Sequence, residues 1–414
     1  MINKVFAGSL AVVVAALLWS LDGTFLRPNL YALPSTLVVF LEHLLGFIVL
    51  APLLIYFRGQ LKNITKKQWL TIFWVALFGG ALGTTFITKA LFLTGFKDIS
   101  VVILLQKFQP IFAIFLAAII LHERFPRRFY FYALIAIIGG YFTTFRDPFT
   151  IASLPQATMI IAGFSLAAAF SWGSSTTFGK YSLKNINYGL LAALRFGFTV
   201  LIMIVPALYF YASAIPTATG KIWLTLIVIV FTSGAAGMWL YYYGLKKIPA
   251  SIATLCELSW PLSAVVFDYF LNHNILSASQ IAGALLLLLS VYEATALNRS
   301  RTISGTVIQG AGAGAGLGYR TANLLPARAG GLVRGLYGCT VRFEGSVYEG
   351  LLYYGINSLT KKLCLEVHIL NFTGDLCNKN ITIVTDRFLR LPKKFNNPAD
   401  LIAQMAVDLK RAQE

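Results

Sequence analysis

Residues 101–121 read Val-Val-Ile-Leu-Leu-Gln-Lys-Phe-Gln-Pro-Ile-Phe-Ala-Ile-Phe-Leu-Ala-Ala-Ile-Ile-Leu, and His122-Glu123-Arg124 closes the run. A near-continuous apolar stretch of this length matches the roughly 20 residues that cross a bilayer as a helix. The polar step Gln106-Lys107-Phe-Gln109-Pro110 is the exception, because charge in hydrocarbon is kept mainly where it faces a cavity. Working outward, apolar runs recur at 5–22, 35–57, 68–88, 99–121, 128–145, 156–176, 187–211, 222–243, 250–271 and 278–297, which predicts ten transmembrane helices. With 57% hydrophobic residues and 12% charged over 414 residues, and a mean hydropathy of +0.72, a soluble chain of this size is excluded.

The chain carries 34 Lys+Arg against 16 Asp+Glu, a formal charge of +18. In a soluble protein that excess points to nucleic acid, but basic residues collect in the cytoplasmic loops of membrane proteins. No nucleic-acid partner is therefore expected. With the N-terminus inside, the cytoplasmic segments hold Lys4, Arg58, Lys62, Lys66, Lys67, Arg124, Arg127, Arg128, Lys180, Lys184, Lys246, Lys247, Arg299 and Arg301. The outer segments hold only Arg27, Lys97, Arg146 and Lys221. Fourteen against four predicts a multi-pass protein of a bacterial-type inner membrane, surrounded by lipid, with its N-terminus and C-terminal domain cytoplasmic. Residues 299–414 carry charges every few positions and no apolar stretch near spanning length. We therefore divide the chain into a membrane domain at 1–298, a short linker at 299–302 and a soluble domain at 303–414. Cys256, Cys339, Cys364 and Cys377 form no Cys-x-x-Cys pair, which argues against a zinc site or a disulfide framework.

An internal repeat emerges once the runs are aligned. Trp19 corresponds to Trp172, and Gln109-Pro110 to Trp260-Pro261, with His122-Glu123 and His273-Asn274 the same distance downstream. Five helices per half is odd, so the second half enters the membrane from the opposite side. Such an inverted 5+5 repeat places a transport site at the interface of its halves.

Three segments carry a resemblance: Trp19-Ser20 with Ala169-Phe-Ser-Trp172-Gly173, Leu105-Gln-Lys-Phe-Gln-Pro110-Ile-Phe-Ala113 leading to His122-Glu123-Arg124, and Gly244-Leu-Lys-Lys-Ile-Pro-Ala-Ser251. They resemble the EamA-type drug/metabolite transporter superfamily over about the first 295 residues. The resemblance implies ten helices and alternating access, with cargo unspecified. Polar groups inside the runs are the candidates for a transport cavity: Trp19, Glu42, His43, Gln106, Lys107, Gln109, Arg195, Glu257 and Trp260, with Lys89 a further buried charge. Lys107 and Glu257 lie just before the paired prolines, and Glu42-His43 sits where Arg195 sits in the other half. Trp260, one turn from Glu257, is the ring best placed to stack on a flat heterocycle.

Beyond Ile303 the text becomes glycine-rich. Residues 332–357, 363–372 and 381–391 then read as short alternating or aromatic-rich strands, the pattern of a small antiparallel β-barrel. Asn397-Pro398-Ala-Asp400 opens a helix whose Leu401, Ile402, Met405 and Leu409 share one face. The expected fold is thus an all-α polytopic bundle followed by a small antiparallel β-barrel with a C-terminal helix.

Four ordered blocks of this domain resemble the riboflavin kinase domain of bacterial FAD synthetases across residues 303–412. They are the glycine run to Leu317-Gly318 with Thr321-Ala-Asn323, then Gly335-Leu-Tyr337, then Leu365-Glu366-Val-His368-Ile-Leu370, and finally Gly374-Asp-Leu376 through Phe388-Leu-Arg390 and Lys394-Phe395. The resemblance implies that Thr321 and Asn323 hold Mg²⁺ and the ATP phosphates. It further implies that Gly310, Gly314, Gly318 and Arg390 contact the nucleotide, and that Glu366 accepts the proton of the ribityl 5′-hydroxyl. Phosphoryl transfer needs positioning and neutralised charge more than a strong nucleophile, so such a set can suffice. The chain departs from the family pattern at Gly314-Ala315 (Gly-Arg), Tyr319-Arg320 (Phe-Pro), Asn371 (Asp) and Cys377-Asn378 (Tyr-Gly), and it lacks Arg-Pro-Thr after Gly355. Two readings of the domain stay open, an active ATP:riboflavin phosphotransferase and a flavin-binding module.

Joined together, the halves imply a transporter of riboflavin or a related flavin, with uptake favoured and FMN as the trapped product. The alternatives are an FMN exporter with a weak or inactive tail, and a kinase tethered to a carrier of unrelated cargo. A homodimer is compatible with all three.

Overall fold

The computed structural model describes residues 4–95, 102, 105–144, 156–260, 262–263, 266–267, 277–297, 300–310, 319–357, 362–393, 395 and 398–413. It divides into two compact units, Met1–Glu123 with Tyr132–Glu293, and Arg124–Phe131 with Ala294–Glu414.

The first unit is helical. Helix α1 (Lys4–Leu21) passes into a π-helical turn at Asp22–Leu26 and a 3-10 turn at Arg27–Leu30. It is followed by α2 (Ser35–Leu50), α3 (Lys66–Trp74), a π-helical stretch at Val75–Leu82, and α4 (Gly83–Leu93). Then come α5 (Gln109–Ile120), α6 (Arg127–Thr144), which belongs to this unit from Tyr132 onward, α7 (Gln156–Ser182) and α8 (Tyr188–Tyr211). The unit continues with α9 (Gly220–Phe231), α10 (Ala235–Lys247), α11 (Ala250–Cys256) and α12 (Ala278–Ala296). Several starts are written in the sequence. Thr65 and Gln68 form a reciprocal capping box on α3, and the Asn187 and Thr219 side chains cap α8 and α9.

Among the described residues, six rather than ten helical segments are long and apolar enough to cross a membrane. They are Lys4–Leu30, Lys66–Leu93, Met159–Ser182, Tyr188–Thr217, Gly220–Lys247 and Ala278–Ala296. The others fall short for physical reasons. Pro52 opens a new short helix and ends α2 near Ala51, while Arg127, Arg128 and three tyrosines dilute α6. The runs at 99–121 and 250–271 are interrupted by turns at 107–108 and 257–258, and parts of both lie outside the described residues.

Lipid is as apolar as leucine, so close packing rather than the hydrophobic effect holds helices together in a bilayer. Helices α1 and α10 touch through glycines. A Cβ on Gly244 would stand 2.6 Å from the Gly8 carbonyl oxygen, so neither position admits a side chain at this spacing. A buried cluster that includes Leu30, Leu37, Val38, Met203, Leu226 and Ile229 ties α2 to α8 and α9.

The second unit contains β1 (Thr302–Thr306), β2 (Ala322–Leu324), β3 (Gly335–Phe343), β4 (Ser346–Ile356), β5 (Leu363–Ile369) and β6 (Asn380–Arg390), then α13 (Pro398–Gln413). All pairings are antiparallel in the order β1-β6-β3-β4-β5-β2. A bridge from the Ile308 N–H to the Asn323 carbonyl (2.8 Å) brings the two edges together and nearly closes a barrel. The expected strand at 332–357 is in fact a hairpin. Glu344 and Gly345 both have positive φ, 48° and 79°, and form the two-residue turn between β3 and β4. Strands β1 and β2 were hidden by the glycine-rich text around them. On α13 the inward face is Leu401, Met405, Asp408, Leu409 and Ala412, whereas Ile402 is exposed. The expected apolar stripe is displaced because Asp408, 1% exposed, turns inward to pair with Arg390 at 2.8 Å. Asn397, the expected cap, lies outside the described residues.

Candidate functional site

The first unit holds a cavity with a water-accessible volume of about 170 Å³. Eight sequence-derived candidates line it: Trp19, Glu42, His43, Gln106, Gln109, Arg195, Glu257 and Trp260. Lys107 opens instead onto a smaller adjoining cavity of about 30 Å³, which shares Gln106, Gln109, Glu257 and Trp260. Its ammonium lies 5.6 Å from the centre of the Trp260 ring. Lys89 is exposed, over the Phe164 ring at 4.9 Å, and belongs to neither cavity.

Breaks in the helices build the walls, because a break releases backbone groups and re-aims side chains. At the π-helical turn after α1, Asp22 and Arg27 point into one cluster. Arg27 Nη2 donates to Asp22 Oδ2 (2.6 Å) and Glu42 Oε2 (3.3 Å), and Nη1 donates to Thr88 Oγ1 (3.0 Å). In the π-helical stretch of 75–82, the Gly79 carbonyl accepts from Arg195 Nη2 (2.7 Å), Trp172 Nε1 (3.1 Å) and Thr84 Oγ1 (3.2 Å). Between α9 and α10 the chain turns at 232–234, which frees the Ser233 carbonyl to accept from Trp19 Nε1 (2.9 Å). Where α11 ends, Glu257 takes hydrogen bonds from Gln109 Nε2 (2.5 Å) and Tyr241 (2.8 Å). His43 Nδ1 lies 2.8 Å from the Val39 carbonyl. A carbonyl can only accept, so that nitrogen carries the hydrogen.

Arg27 is a correction. The charge asymmetry had placed it in an outer loop; it is 6% exposed and sits between two carboxylates. Asp22 was missed with it. The five-residue spacing between them was the available signal, since one π-helical turn brings i and i+5 onto the same side. Tyr241 and Thr176, hydrogen-bonded to each other at 2.7 Å, also line the cavity and were not anticipated.

In the second unit the candidates gather around one end of β2 and β5. Asn323 stands directly opposite Glu366 in the strand register, close enough for their side chains to interact. Thr321 precedes Asn323 by two residues, the spacing that places both on one face of an extended chain. Gly310 packs against the Asn323 amide, so that a Cβ there would overlap it at 2.1 Å from Nδ2. Asn357 Nδ2 donates to Glu366 Oε1 at 3.2 Å, a partner the sequence reading did not foresee. Burial first, and then the adjacent Glu366 carboxylate, push the Cys364 thiol up to about 12. Arg390 is engaged elsewhere, by Asp408. Gly314 and Gly318 lie outside the described residues. A hydroxyl and an amide oxygen form a hard donor set of the kind Mg²⁺ accepts when phosphates supply the rest. Thr321 and Asn323 therefore fit that ion.

Interrupted apolar helices around a polar, charged cavity define a membrane carrier of a small polar molecule. The chain belongs to the EamA-like transporter family, whose model matches residues 6–145 and 159–295. With six apolar helices of spanning length among its described residues, it is a multi-pass membrane protein. Residues 297–414 match the riboflavin kinase family. The chain is similar to the riboflavin transporter ImpX of Fusobacterium nucleatum, 42% identical over 297 residues that cover 70% of this chain and 98% of that one. The C-terminal domain is similar to the bifunctional riboflavin kinase/FMN adenylyltransferase of Mycoplasma pneumoniae. There the identity is 31% over 116 residues, covering 27% of this chain and 40% of that one. One solved protein structure shares the fold at a TM-score of 0.56 and 16% identity, over 70% of this chain and 96% of that one.

Proposed function

We propose that this protein carries riboflavin, or a close chemical relative, into the cytoplasm and that its C-terminal domain phosphorylates it to FMN with Mg-ATP. The fusion carries the reading: a membrane domain similar to nearly the whole of a riboflavin transporter is followed in the same chain by a riboflavin kinase match. Ten spans in an inverted 5+5 repeat are the arrangement we favour. In support, turns at 107–108 and 257–258 precede the corresponding prolines Pro110 and Pro261. We set the domain boundary at 298, with a linker at 299–302, and favour both termini of the membrane domain on the cytoplasmic side. The charge asymmetry, fourteen basic residues against four, supports this orientation.

In the C-terminal domain, Thr321 and Asn323 would hold Mg²⁺ and the ATP phosphates, and the ion would neutralise the charge on the transferred group. Glu366, oriented by Asn357, accepts the proton of the ribityl hydroxyl as its oxygen attacks. Gly310 lets the backbone approach the nucleotide. The phosphate adds about −1.5 to −2 charges at neutral pH, by analogy with other monoesters. A product so charged is poorly suited to return through the cavity, where Asp22, Glu42 and Glu257 stand against Arg27 and Arg195.

The test is growth. A riboflavin auxotroph on limiting vitamin should be rescued by this gene and not by its Trp260→Ala variant. Absence of rescue by the wild-type chain, with the protein present in the membrane, would refute the assignment.

A further inference from the structure

The two cavities of the first unit share Trp260, and the charges around that junction are paired differently from the rest. In the larger cavity Asp22 and Glu42 share Arg27. Lys107 has no such partner. It is 5% exposed, its stem packs beside Gly140 of α6, and its ammonium meets no hydrogen-bond acceptor among the described residues. The Trp260 ring, its centre 5.6 Å away, offers a cation–π attraction and no lone pair to accept a hydrogen bond. The ammonium is not among the fully enclosed polar atoms, and it opens onto the smaller cavity. Glu257 lines that cavity too. Its two oxygens take one neutral donor each, from Gln109 and Tyr241, and no ion pair joins it to Lys107 or any other described cation. A carboxylate has about four lone-pair sites, so Glu257 has room for a further donor. Buried charges persist where they are paired or hydrogen-bonded. A buried ammonium without an acceptor, on one small cavity with a carboxylate that can accept more, marks a place where a ligand completes the bonding.

The chemistry of the two groups narrows the ligand. A space of about 30 Å³ admits small polar groups and no ring, so what enters is the edge of a molecule whose body stays in the larger cavity. That edge must offer an acceptor to Lys107 and a donor to Glu257. A carboxylate or phosphate suits the lysine and is repelled by the glutamate, and an amine does the reverse. A cyclic imide, an N–H between two carbonyls, satisfies both while remaining neutral. The Gln106 amide, which lines both cavities and has no hydrogen-bond partner among the described residues, can donate to the second carbonyl. The flavin ring ends in such an imide. Its opposite edge carries two methyl groups, which would leave Lys107 bare.

We infer that Lys107 and Glu257 recognise the imide edge of the flavin ring, Lys107 donating to a carbonyl and Glu257 accepting from the N–H. They thereby fix which edge of the ring enters the smaller cavity. The inference rests on the flavin reading above and adds to it the residues that read the heterocycle. Both are specificity residues.

The experiment is counterflow of labelled riboflavin through the full-length protein in liposomes without ATP. Unlabelled riboflavin, 3-methylriboflavin, 2-thioriboflavin and 4-thioriboflavin are the competitors. The methyl compound lacks the imide N–H, and each thio compound replaces one carbonyl oxygen by sulfur, a poor acceptor. In the wild type, half-competition should need roughly tenfold or more of the methyl compound, and of at least one thio compound, than of riboflavin, the ratio set by losing a hydrogen bond to a charged group. Lys107→Met should raise the riboflavin value to near that of the disfavoured thio compound, while the penalty on the methyl compound persists and reports an intact site. Equal competition by all four compounds in the wild type, or a preference for oxygen over sulfur that survives Lys107→Met, would overturn the inference. Should Lys107→Met carry no riboflavin, Glu257→Gln decides. A narrowed methyl penalty supports the inference, because a neutral acceptor holds the N–H more weakly, and any other result overturns it. A wild-type protein that carries no riboflavin would instead remove the flavin reading, and the imide inference with it.

Discussion

Replacing Arg27 by methionine separates the structure from the reading of this residue as an outer-loop charge. Its guanidinium bridges Asp22 and Glu42 at 2.6 and 3.3 Å, and the three side chains are 7–8% exposed. Removing the cation leaves two buried carboxylates close together with nothing to offset them. Breaking a buried pair from one side costs about 3–5 kcal/mol, whereas a loop arginine costs within about 0.5 kcal/mol. At roughly 2–4 °C per kcal/mol for units of 150–250 residues, the unfolding temperature should fall by about 10 °C. The assay heats the detergent-solubilised full chain and measures the fraction that still elutes as a monodisperse peak. A triple variant, Arg27→Met with Asp22→Asn and Glu42→Gln, should recover most of the loss because no uncompensated charge remains. An Arg27→Met protein that melts within about 2 °C of wild type would show that the cluster is not buried as described.

Glu366→Gln in the full chain should lower FMN formation by about 10²- to 10⁴-fold while leaving flavin transport intact, because it removes the proposed base and nothing in the membrane unit; product assay and counterflow on one preparation check both halves. Alkylation discriminates the cysteines of the C-terminal domain. With the Cys364 thiol raised to about 12, only about 0.03% is thiolate at pH 8.5, and thiolate is the reactive form. Iodoacetamide should therefore modify exposed Cys377 well before Cys364, with Cys364 catching up as the pH climbs towards 12; comparable rates at pH 8.5 would contradict the environment assigned to it. Glu123 accepts from the Ala250 and Ser251 N–H groups and the Ser251 hydroxyl, at 2.7, 3.0 and 2.6 Å, and so caps α11 from a distant part of the chain. Glu123→Ala should cost about 0.5–2 kcal/mol and make buried Cys256, at the far end of that helix, more reactive to maleimide; unchanged labelling would speak against the cap.

The architecture was legible where composition alone decides it. Runs such as 187–211 have no reading except a span, and α8 occupies Tyr188–Tyr211. What the sequence concealed were the breaks. The five-residue spacing of Asp22 and Arg27 was the one trace of a π-helical turn around Asp-Gly-Thr-Phe-Leu, and it does not distinguish that turn from a loop, so Asp22 was passed over and Arg27 was counted as a loop charge. Their burial depends on Glu42 arriving from α2, a tertiary fact. Polar residues inside apolar runs were informative because hydrocarbon tolerates few of them, and eight of the nine named line the main cavity. Lys107 stands one residue from Gln106 and two from Gln109, and the turn at 107–108 that interrupts the helix directs it to the smaller space. In the C-terminal domain the motif residues Asn323 and Glu366 meet across two strands, but that pairing follows from register, which spacing alone does not define. The stripe on α13 misled because apolar periodicity ignores a buried ion pair such as Arg390 with Asp408.

The central claim, that one chain both carries a flavin and modifies it, is tested most directly by reconstitution. Full-length protein in liposomes loaded with Mg-ATP is offered labelled riboflavin from outside, and the internal label is separated chromatographically. The account predicts internal label that exceeds the external concentration and is recovered as FMN, with Glu366→Gln reaching only equilibration as riboflavin. Internal label no greater than in protein-free liposomes would contradict it.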